Sequence, residues 1–238
     1  MKAIILAGGK GTRGKPYTEY FPKAMTPING KPMIDYVVRY LKSFNFIKEV
    51  IIISDYNGLG GQIKNYYGDR KDIKFIQDSQ SGTGGDLLHI EKELKNESEF
   101  LLWFVDNLCA VDVKKMRETF KEKNSFACIA TRTKRKEETG FAIVEDGIIK
   151  EFKEKPVMKL QLSECLGIYM LRKEIIQKIK KKKQKQVNLS YDILQELSKK
   201  GKVSAYDIAD KEWIDVESPM ILERDKKLVT KIIKQMGL

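Results

Sequence analysis

The chain has 238 residues, of which 42% are hydrophobic, so it is long enough to fold as one large α/β domain around an ordinary core. No apolar run approaches the length of a bilayer-spanning helix, and we expect no membrane partner. The three cysteines, Cys109, Cys128 and Cys165, are widely spaced and form no Cys-x-x-Cys pair, which argues against a disulfide scaffold or a zinc site. We predict buried, reduced thiols.

The net charge of +12, from 45 basic and 33 acidic residues, indicates an anionic partner, either nucleic acid or small phosphates. Six of the lysines fall between 178 and 185, a run that is typical of the solvated end of a helix. Because this run has no aromatic residues on which bases could stack, we favour small phosphates and expect no nucleic-acid partner. The apolar N-terminal stretch is too short for a signal peptide, so we expect a cytoplasmic protein.

Through the first half of the chain, short apolar strands alternate with helices. The predicted strands are 2–6, 50–53, 73–77, 100–105 and 125–130, and the predicted helices begin at 32, 59, after 82–85, and at 113. This alternation predicts a doubly wound, mixed and mostly parallel sheet flanked by helices. Ligands of such sheets bind beyond the carboxyl ends of the strands, so the loops after Leu6, Gln77 and Val105 should share one face.

The second half has a different pattern. Asp146-Gly147 between two apolar runs predicts a β-hairpin over 141–152. Further strands are predicted at 166–171, 203–206 and 213–214, with helices at 173–181 and 191–199. Ser218-Pro219 is typical of a helix start, and we predict one last helix from there to about 236. No linker or internal repeat interrupts the chain, so we predict a single domain over 1–238.

A glycine-rich loop follows the first strand. It contains G-x-G-x-x-G at Gly9, Gly11 and Gly14, and it comes close to a P-loop. We reject the dinucleotide motif because Pro16 and Pro22 stand where its helix would have to run. We reject the P-loop because Pro16 replaces the hydroxyl residue that holds magnesium.

The physical properties of this loop still suit phosphate. Glycines let backbone amides approach an anion closely, since no Cβ obstructs them. Arg13 offers a planar fork for phosphate oxygens, and Lys23 adds a second charge nearby. A tight glycine turn with solvent-exposed basic residues is the alternative interpretation of the loop taken alone.

The segments 8–13, 21–23 and 27–34 resemble the signature of the sugar-1-phosphate nucleotidyltransferases, G-G-x-G-T-R-L, P-K-P and G-K-P-L-I. Further segments resemble the family in the same order: Gln77 with 82–85, then 104–107, 140–141, 152–156, 165–169 and 213–219. The chain departs from the family pattern at several positions, among them Gly14, Ala24, Val105, Cys165 and Glu217.

This resemblance implies a Rossmann-like nucleotidyltransferase fold, with a nucleotide-binding half over 1–135 and a sugar-phosphate-binding half over 136–238. It implies the reaction of a nucleoside triphosphate with a hexose 1-phosphate to give a nucleotide sugar and pyrophosphate, with Mg²⁺ as cofactor. The implied catalytic residues are Arg13 and Lys23, and the implied metal ligands are Asp106 and Asp215. The implied nucleotide-binding residues are Leu6, Ala7, Gly8, Gly9, Gly11, Thr12, Gln77, Gly82 and Thr83. The implied sugar-phosphate-binding residues are Gly140, Glu154, Lys155 and Gly167.

Several alternatives stay open within the resemblance. UTP or dTTP is slightly favoured, while a relative that uses GTP or CTP, or a catalytically silent regulatory relative, also fits the motifs. Asp86 follows the glycine segment and would favour a base that presents amino donors. The chain ends soon after the last predicted helix, so we expect no added C-terminal β-helix domain, and a homo-oligomer is left open.

Overall fold

The computed structural model describes residues 1–238, which form thirteen strands and eight α-helices. The strands are β1 (Lys2–Leu6), β2 (Pro27–Ile28), β3 (Lys31–Pro32), β4 (Glu49–Ser54), β5 (Ile73–Gln77), β6 (Glu99–Phe104), β7 (Asn107–Cys109), β8 (Ala127–Lys136), β9 (Phe141–Glu145), β10 (Ile148–Lys153), β11 (Val157–Arg172), β12 (Val203–Asp207) and β13 (Trp213–Asp215). The helices are α1 (Met33–Lys42), α2 (Gly61–Tyr67), α3 (Gly82–Asp86), α4 (Val113–Glu122), α5 (Ile175–Lys180), α6 (Gln195–Lys199), α7 (Pro219–Arg224) and α8 (Lys226–Gln235).

Seven of the strands form one central sheet in the order β12-β8-β11-β6-β1-β4-β5. Strand β1 pairs in parallel with both β4 and β6, and β4 pairs in parallel with β5. Strand β11 runs antiparallel to its neighbours β6 and β8. The sheet is therefore mixed and mostly parallel, which confirms the predicted fold class. Strands from both halves of the chain belong to it.

Both faces of the sheet are buried, as expected where helices cover a parallel sheet on either side. Successive residues of β1 point to opposite faces, so Ala3 and Ile5 belong to one hydrophobic cluster and Ile4 to the other. The larger cluster has 41 buried residues and includes α1, α4 and α8, while the smaller has 19 and includes α5 and α6. Two apolar cores thus hold the central strands rigid beneath the loops that follow them.

Several elements differ from the sequence-based expectation. Residues 82–85 form most of α3 instead of preceding a helix. Strands β8 and β11 are longer than predicted because they continue pairing, with register shifts, beyond the central sheet. The predicted last helix is two helices, because Asp225, with φ −104° and ψ 26°, has a non-helical backbone between them.

The predicted hairpin is present as β9 and β10, which pair only with each other. Every residue of both strands is exposed. We call residues 136–162, which hold this hairpin and the adjoining ends of β8 and β11, the arm.

None of the helices combines the length and the apolar character that a membrane span requires.

Candidate active site

A cavity of about 370 Å³ lies at the edge of the sheet where β1, β5 and β6 end. This volume is within the usual range of small-molecule sites. The loops after these three strands all contribute to its wall, because the carboxyl ends of parallel strands meet at one edge. The predicted site residues that line the cavity are Leu6, Ala7, Gly8, Gly9, Lys23, Gly82, Thr83 and Asp106.

The loop after β1 brings bare backbone to this cavity. A Cβ on Gly9 would meet no atom within 4 Å, whereas a Cβ on Gly8 would come within 1.5 Å of Asp78 Oδ2. Gly11 has φ +59°, a backbone conformation that favours glycine, and its carbonyl accepts a hydrogen bond of 2.7 Å from the Thr18 hydroxyl. The loop is therefore fixed at Gly11 and accessible at Gly9, an arrangement that suits contact with a phosphate.

The rest of the loop forms a single 3₁₀ turn over Thr12–Gly14, where Thr12 is exposed. Gly14 is buried, and a Cβ at this position would lie 2.7 Å from Thr18 Cγ2. A leucine at position 14 would have to displace Thr18, which also anchors Gly11. The departure from the family pattern at Gly14 therefore has a local steric reason.

Arg13 extends from this turn and forms an ion pair with Glu217, which follows β13. Both side chains are substantially exposed, with relative accessibilities of 66% and 37%. A guanidinium that faces solvent on one side and one carboxylate on the other can exchange that carboxylate for a phosphate. The pair joins the glycine loop to the C-terminal part of the chain.

Lys23 and Asp106 form a second ion pair beside the cavity. Lys23 Nζ donates to Asp106 Oδ2 at 2.6 Å, and both side chains are mostly buried. Asp106 Oδ1 accepts a hydrogen bond of 2.8 Å from Asn107 Nδ2. The carboxylate is therefore held in one orientation at the end of β6, next to a fixed positive charge.

Asp215 lies close to this pair because the Val216 amide donates to the Asp106 carbonyl at 2.8 Å, and Asp215 pairs with Asn107 in the β7–β13 ladder. Its Oδ1 is buried and accepts no hydrogen bond. Burial, with a smaller contribution from the neighbouring Asp106 carboxylate, raises the pKa of Asp215 to about 6. A buried carboxylate oxygen without a donor is suited to a bound cation.

No group of three or more His, Cys, Asp or Glu side chains is arranged as a metal site. Asp106 and Asp215 nevertheless fit a magnesium ion, because hard cations prefer carboxylate oxygens and Mg²⁺ usually takes only one or two of them from protein. The remaining positions of such an ion are normally filled by water and by the phosphates of a substrate.

Asn107 links four strands of the site, a role that the sequence analysis did not assign to it. Its Oδ1 accepts hydrogen bonds from the Gly167 amide at 3.1 Å and from Trp213 Nε1 at 2.8 Å. Its carbonyl accepts from Trp103 Nε1 at 2.8 Å. A Cβ on Gly167 would lie 2.5 Å from Asn107 Nδ2, so glycine is required there for this contact. The Asp-Asn pair at the end of β6 was the available sequence signal.

The glycine segment 82–85 packs against the chain that follows the lysine run. Gly82 has φ +83°, and a Cβ there would lie 2.6 Å from the Val187 carbonyl oxygen. The Gly84 amide donates to that same carbonyl at 2.8 Å, and Thr83 Oγ1 accepts from the Leu189 amide at 3.0 Å. The wall of the cavity is thus formed by two backbones in direct contact.

Gln77, the predicted base-reading residue, makes its contacts within the protein. Its Nε2 donates to Asp55 Oδ1 at 2.8 Å and its Oε1 accepts from the Asn57 amide at 3.3 Å. It does not line the 370 Å³ cavity, whereas Asp78 and Gln80 do.

Two acidic side chains also line the cavity. Asp86 is buried and its Oδ1 accepts from the Ser79 amide at 3.0 Å and the Ser79 hydroxyl at 2.6 Å. Asp78 Oδ1 accepts from the Gln80 amide at 2.6 Å, and its Oδ2 lies against Gly8, where a Cβ would come within 1.5 Å of it. The carboxylate at 86 therefore organises the turn after β5, and the carboxyl group at 78 packs against the glycine loop and Asp86.

Three of the four predicted sugar-phosphate residues, Gly140, Glu154 and Lys155, lie in the exposed arm, and none of them lines the cavity. A Cβ on Gly140 would lie 2.4 Å from the Phe152 ring and 3.1 Å from Glu154 Oε2, so the two sides of the arm are in contact here. The Lys155 amide donates to the Thr139 carbonyl at 3.3 Å. The fourth residue, Gly167, lies beside Asn107.

The region between the arm and β13 contains an ionic contact that the sequence did not reveal. Arg132 Nε donates to Glu164 Oε2 at 2.7 Å, and the guanidinium stacks 4.4 Å from the Trp213 ring.

Cys109 and Cys128 are buried as predicted, but Cys165 is exposed, because it lies where β11 leaves the covered part of the sheet.

Comparison with known proteins is consistent with this geometry. The chain is 35% identical over 226 residues to D-glycero-alpha-D-manno-heptose 1-phosphate guanylyltransferase of Campylobacter jejuni, covering 92% of this chain and 96% of that protein. It is 31% identical over 238 residues to UTP–glucose-1-phosphate uridylyltransferase of a Synechocystis strain, covering 91% of this chain but only 60% of that protein. The chain thus spans nearly the whole of one relative and about three fifths of the other.

A solved structure of a glucose-1-phosphate thymidylyltransferase from Bacillus anthracis has the same fold, with a TM-score of 0.76 and 24% identity over 96% of this chain and 95% of that one. The sequence pattern of the nucleotidyl transferase family matches residues 2–228, which is nearly the whole chain. The chain belongs to the nucleotidyl transferase family.

Proposed function

We propose that the chain is a sugar-1-phosphate nucleotidyltransferase, which joins a nucleoside triphosphate to a sugar 1-phosphate and releases pyrophosphate. The observation that carries the proposal is the set of fixed charges, Lys23, Asp106 and Asp215, beside the open backbone of the glycine loop. The Campylobacter relative, which this chain matches over almost its full length, is named for such a reaction.

In this reaction an oxygen of the sugar phosphate forms a bond to the α-phosphorus of the nucleotide. The bond from that phosphorus to the oxygen bridging to the β-phosphate breaks, and pyrophosphate leaves with the electron pair. The attacking oxygen is already an anion, so no general base is needed. The demand on the protein is to bring several negative charges together and to stabilise those that develop.

The residues in and around the cavity meet this demand by charge and by position. Lys23, held by Asp106, supplies a buried cation, and the amides near Gly9 can approach phosphate oxygens without obstruction. Arg13 supplies a second cation once it exchanges Glu217 for the triphosphate. Asp106 and Asp215 would hold the proposed Mg²⁺, which when bound neutralises phosphate charge and polarises the phosphoryl oxygens.

The sugar phosphate belongs to the second half of the chain in this proposal. Lys155, with Gly140, Glu154 and Gly167, would bind it. The relatives are named for a hexose and a heptose phosphate and for different nucleotides, so both substrates are left to experiment. The proposal also includes the cytoplasm as the compartment of the reaction.

The decisive experiment is pyrophosphate release with Mg²⁺, screening ATP, CTP, GTP, UTP and dTTP against a panel of hexose and heptose 1-phosphates. We expect release with one nucleotide–sugar pair. Lys23→Gln should lower kcat by about a hundredfold to a thousandfold, since removing one fixed charge stabiliser typically has that effect. Lys48→Gln, at an exposed lysine that forms no ion pair, is the matched control and should be unchanged.

Two other results would contradict the proposal. Nucleotide binding without pyrophosphate release across the panel would favour the catalytically silent relative. Folded protein that binds no nucleotide would contradict the assignment of the cavity as a nucleotide-binding site.

A further inference from the structure

We propose that Asn107 and Trp213 are positioning residues for Asp106, one of the two candidate metal ligands. The inference rests on the proposed function and adds two residues that act through Asp106. The indole of Trp213 fixes the Asn107 amide in one orientation, and the amide then holds the Asp106 carboxylate where a divalent cation can bind.

A short antiparallel ladder brings these residues together. In the pairing of β7 with β13, Asn107 lies opposite Asp215, and Trp213 is two positions before Asp215 on the same strand. Directly paired residues, and alternate residues of one strand, have their side chains on the same face of a ladder. Asn107, Trp213 and Asp215 therefore share one face, immediately after Asp106 in the chain.

The buried amide of Asn107 is restricted to one of its two orientations. Its Oδ1 accepts from Trp213 Nε1 at 2.8 Å and from the Gly167 amide at 3.1 Å. A flipped amide would turn its own N–H groups towards both of these donors and leave them without an acceptor. Nδ2 must therefore point the other way, where it donates to Asp106 Oδ1 at 2.8 Å.

The Asn107 amide holds one oxygen of the Asp106 carboxylate, and Lys23 holds the other. Lys23 Nζ donates to Oδ2 at 2.6 Å, while Asn107 Nδ2 donates to Oδ1. A phosphate group that attracts Lys23 would weaken the contact at Oδ2, because both anions compete for one cation. The neutral amide is not subject to this competition. Asn107 is thus the contact that keeps Asp106 in place when a substrate binds.

Trp213 is held in turn from outside the ladder. The Arg132 guanidinium stacks 4.4 Å from its ring, and Arg132 donates to Glu164 Oε2 at 2.7 Å. A second indole, that of Trp103, also donates to Asn107, but to its main-chain carbonyl at 2.8 Å. Only the Trp213 contact can therefore determine which way the amide points, and the two tryptophans form a matched pair for experiment.

The test is the affinity of the full chain for Mn²⁺ alone, measured from the loss of the free-ion EPR signal without nucleotide or sugar phosphate. Asp106→Asn should abolish this binding, which identifies the site. Asn107→Ala should weaken Mn²⁺ about tenfold to a hundredfold, as expected when the partner that orients a metal ligand is lost. Trp213→Phe keeps the ring beside Arg132 and removes only the N–H, so it should weaken Mn²⁺ about fivefold.

Trp103→Phe is the control, since it also removes one indole N–H from Asn107 but leaves the amide oriented. It should leave the Mn²⁺ affinity unchanged even if it lowers the stability of the fold.

Trp213→Phe retains an aromatic ring at a half-buried position, so it tests the inference even if Asn107→Ala fails to fold. Unchanged Mn²⁺ affinity in Trp213→Phe, or an equal loss in Trp103→Phe, would overturn the positioning role. Absence of Mn²⁺ binding by the unmodified chain would also overturn it. Pyrophosphate release by the unmodified chain is a separate measurement, so the proposed function can stand where this inference fails.

Discussion

At the scale of single residues, the site is organised by charges that already have partners. Arg13 contacts Glu217, and Lys23 contacts Asp106. The two pairs differ in burial: the first is exposed, while the second is mostly shielded from water. An exposed ion pair contributes little to stability and easily exchanges one member for another charged group, whereas a shielded pair fixes the position of its members.

The exposed pair leads to a prediction about nucleotide affinity. Glu217→Gln should lower the KM for the nucleoside triphosphate by up to about fivefold, because the phosphate would no longer compete with a carboxylate for Arg13 and such pairs are worth up to about 1 kcal/mol. The measurement is KM at fixed sugar phosphate. Glu223→Gln, at an exposed residue without an ion pair, should leave KM unchanged. An increased KM in Glu217→Gln would instead mean that the carboxylate positions Arg13 for the substrate.

At the scale of elements, α3 shows how a glycine-rich segment can be structural and functional together. Its first residue, Gly82, has a positive φ and lies against the Val187 carbonyl. The amides of Gly84 and Gly85 donate hydrogen bonds to the same carbonyl. The segment after the lysine run therefore holds the wall of the cavity in place. Within the run, Lys180 pairs with Glu91 and Lys182 with Glu196, so part of its charge is neutralised.

A substitution at Gly82 distinguishes the strain of a side chain at positive φ from the steric contact with the Val187 carbonyl. Gly82→Ala should lower the free energy of unfolding by about 2–4 kcal/mol, because a side chain at positive φ is strained and the added Cβ would also meet Val187 O at 2.6 Å. Gly201→Ala, also at positive φ but with no atom within 4 Å, should cost only about 1 kcal/mol. Denaturant unfolding measures both, and equal losses would refute the close backbone contact.

At the scale of the whole molecule, the arm is the part whose hairpin pairs with no other strand. It carries most of the exposed large hydrophobic side chains, including Phe141, Ile148, Phe152 and Leu162, and the outer edges of its hairpin are unpaired. It also has five lysines against six carboxylates, although the chain as a whole is strongly basic. Two copies of the chain would repel each other over most of their surface and least at the arm.

We therefore expect the arm to pack against the arm of a second copy. Light scattering should give about twice the 27.5 kDa mass of the chain at micromolar concentration. Ile148→Ser with Ile149→Ser, next to the hairpin turn, should give the monomer. Met220→Ser, an equally exposed apolar residue outside the arm, is the control and should leave the mass unchanged. A monomeric unmodified chain would contradict this expectation.

The sequence by itself determined the alternation of strands and helices, the mostly parallel sheet and the edge at which the cavity lies, because hydrophobic periodicity and turn residues are local signals. It also identified the glycine loop and the charges of Lys23 and Asp106. Only the tertiary structure decided which charges contact each other, which acidic residue faces the cavity and how far β8 and β11 extend. Contacts of this kind join residues far apart in the chain, by 204 positions for Arg13 with Glu217 and by 60 for Gly167 with Asn107, and no local pattern encodes them.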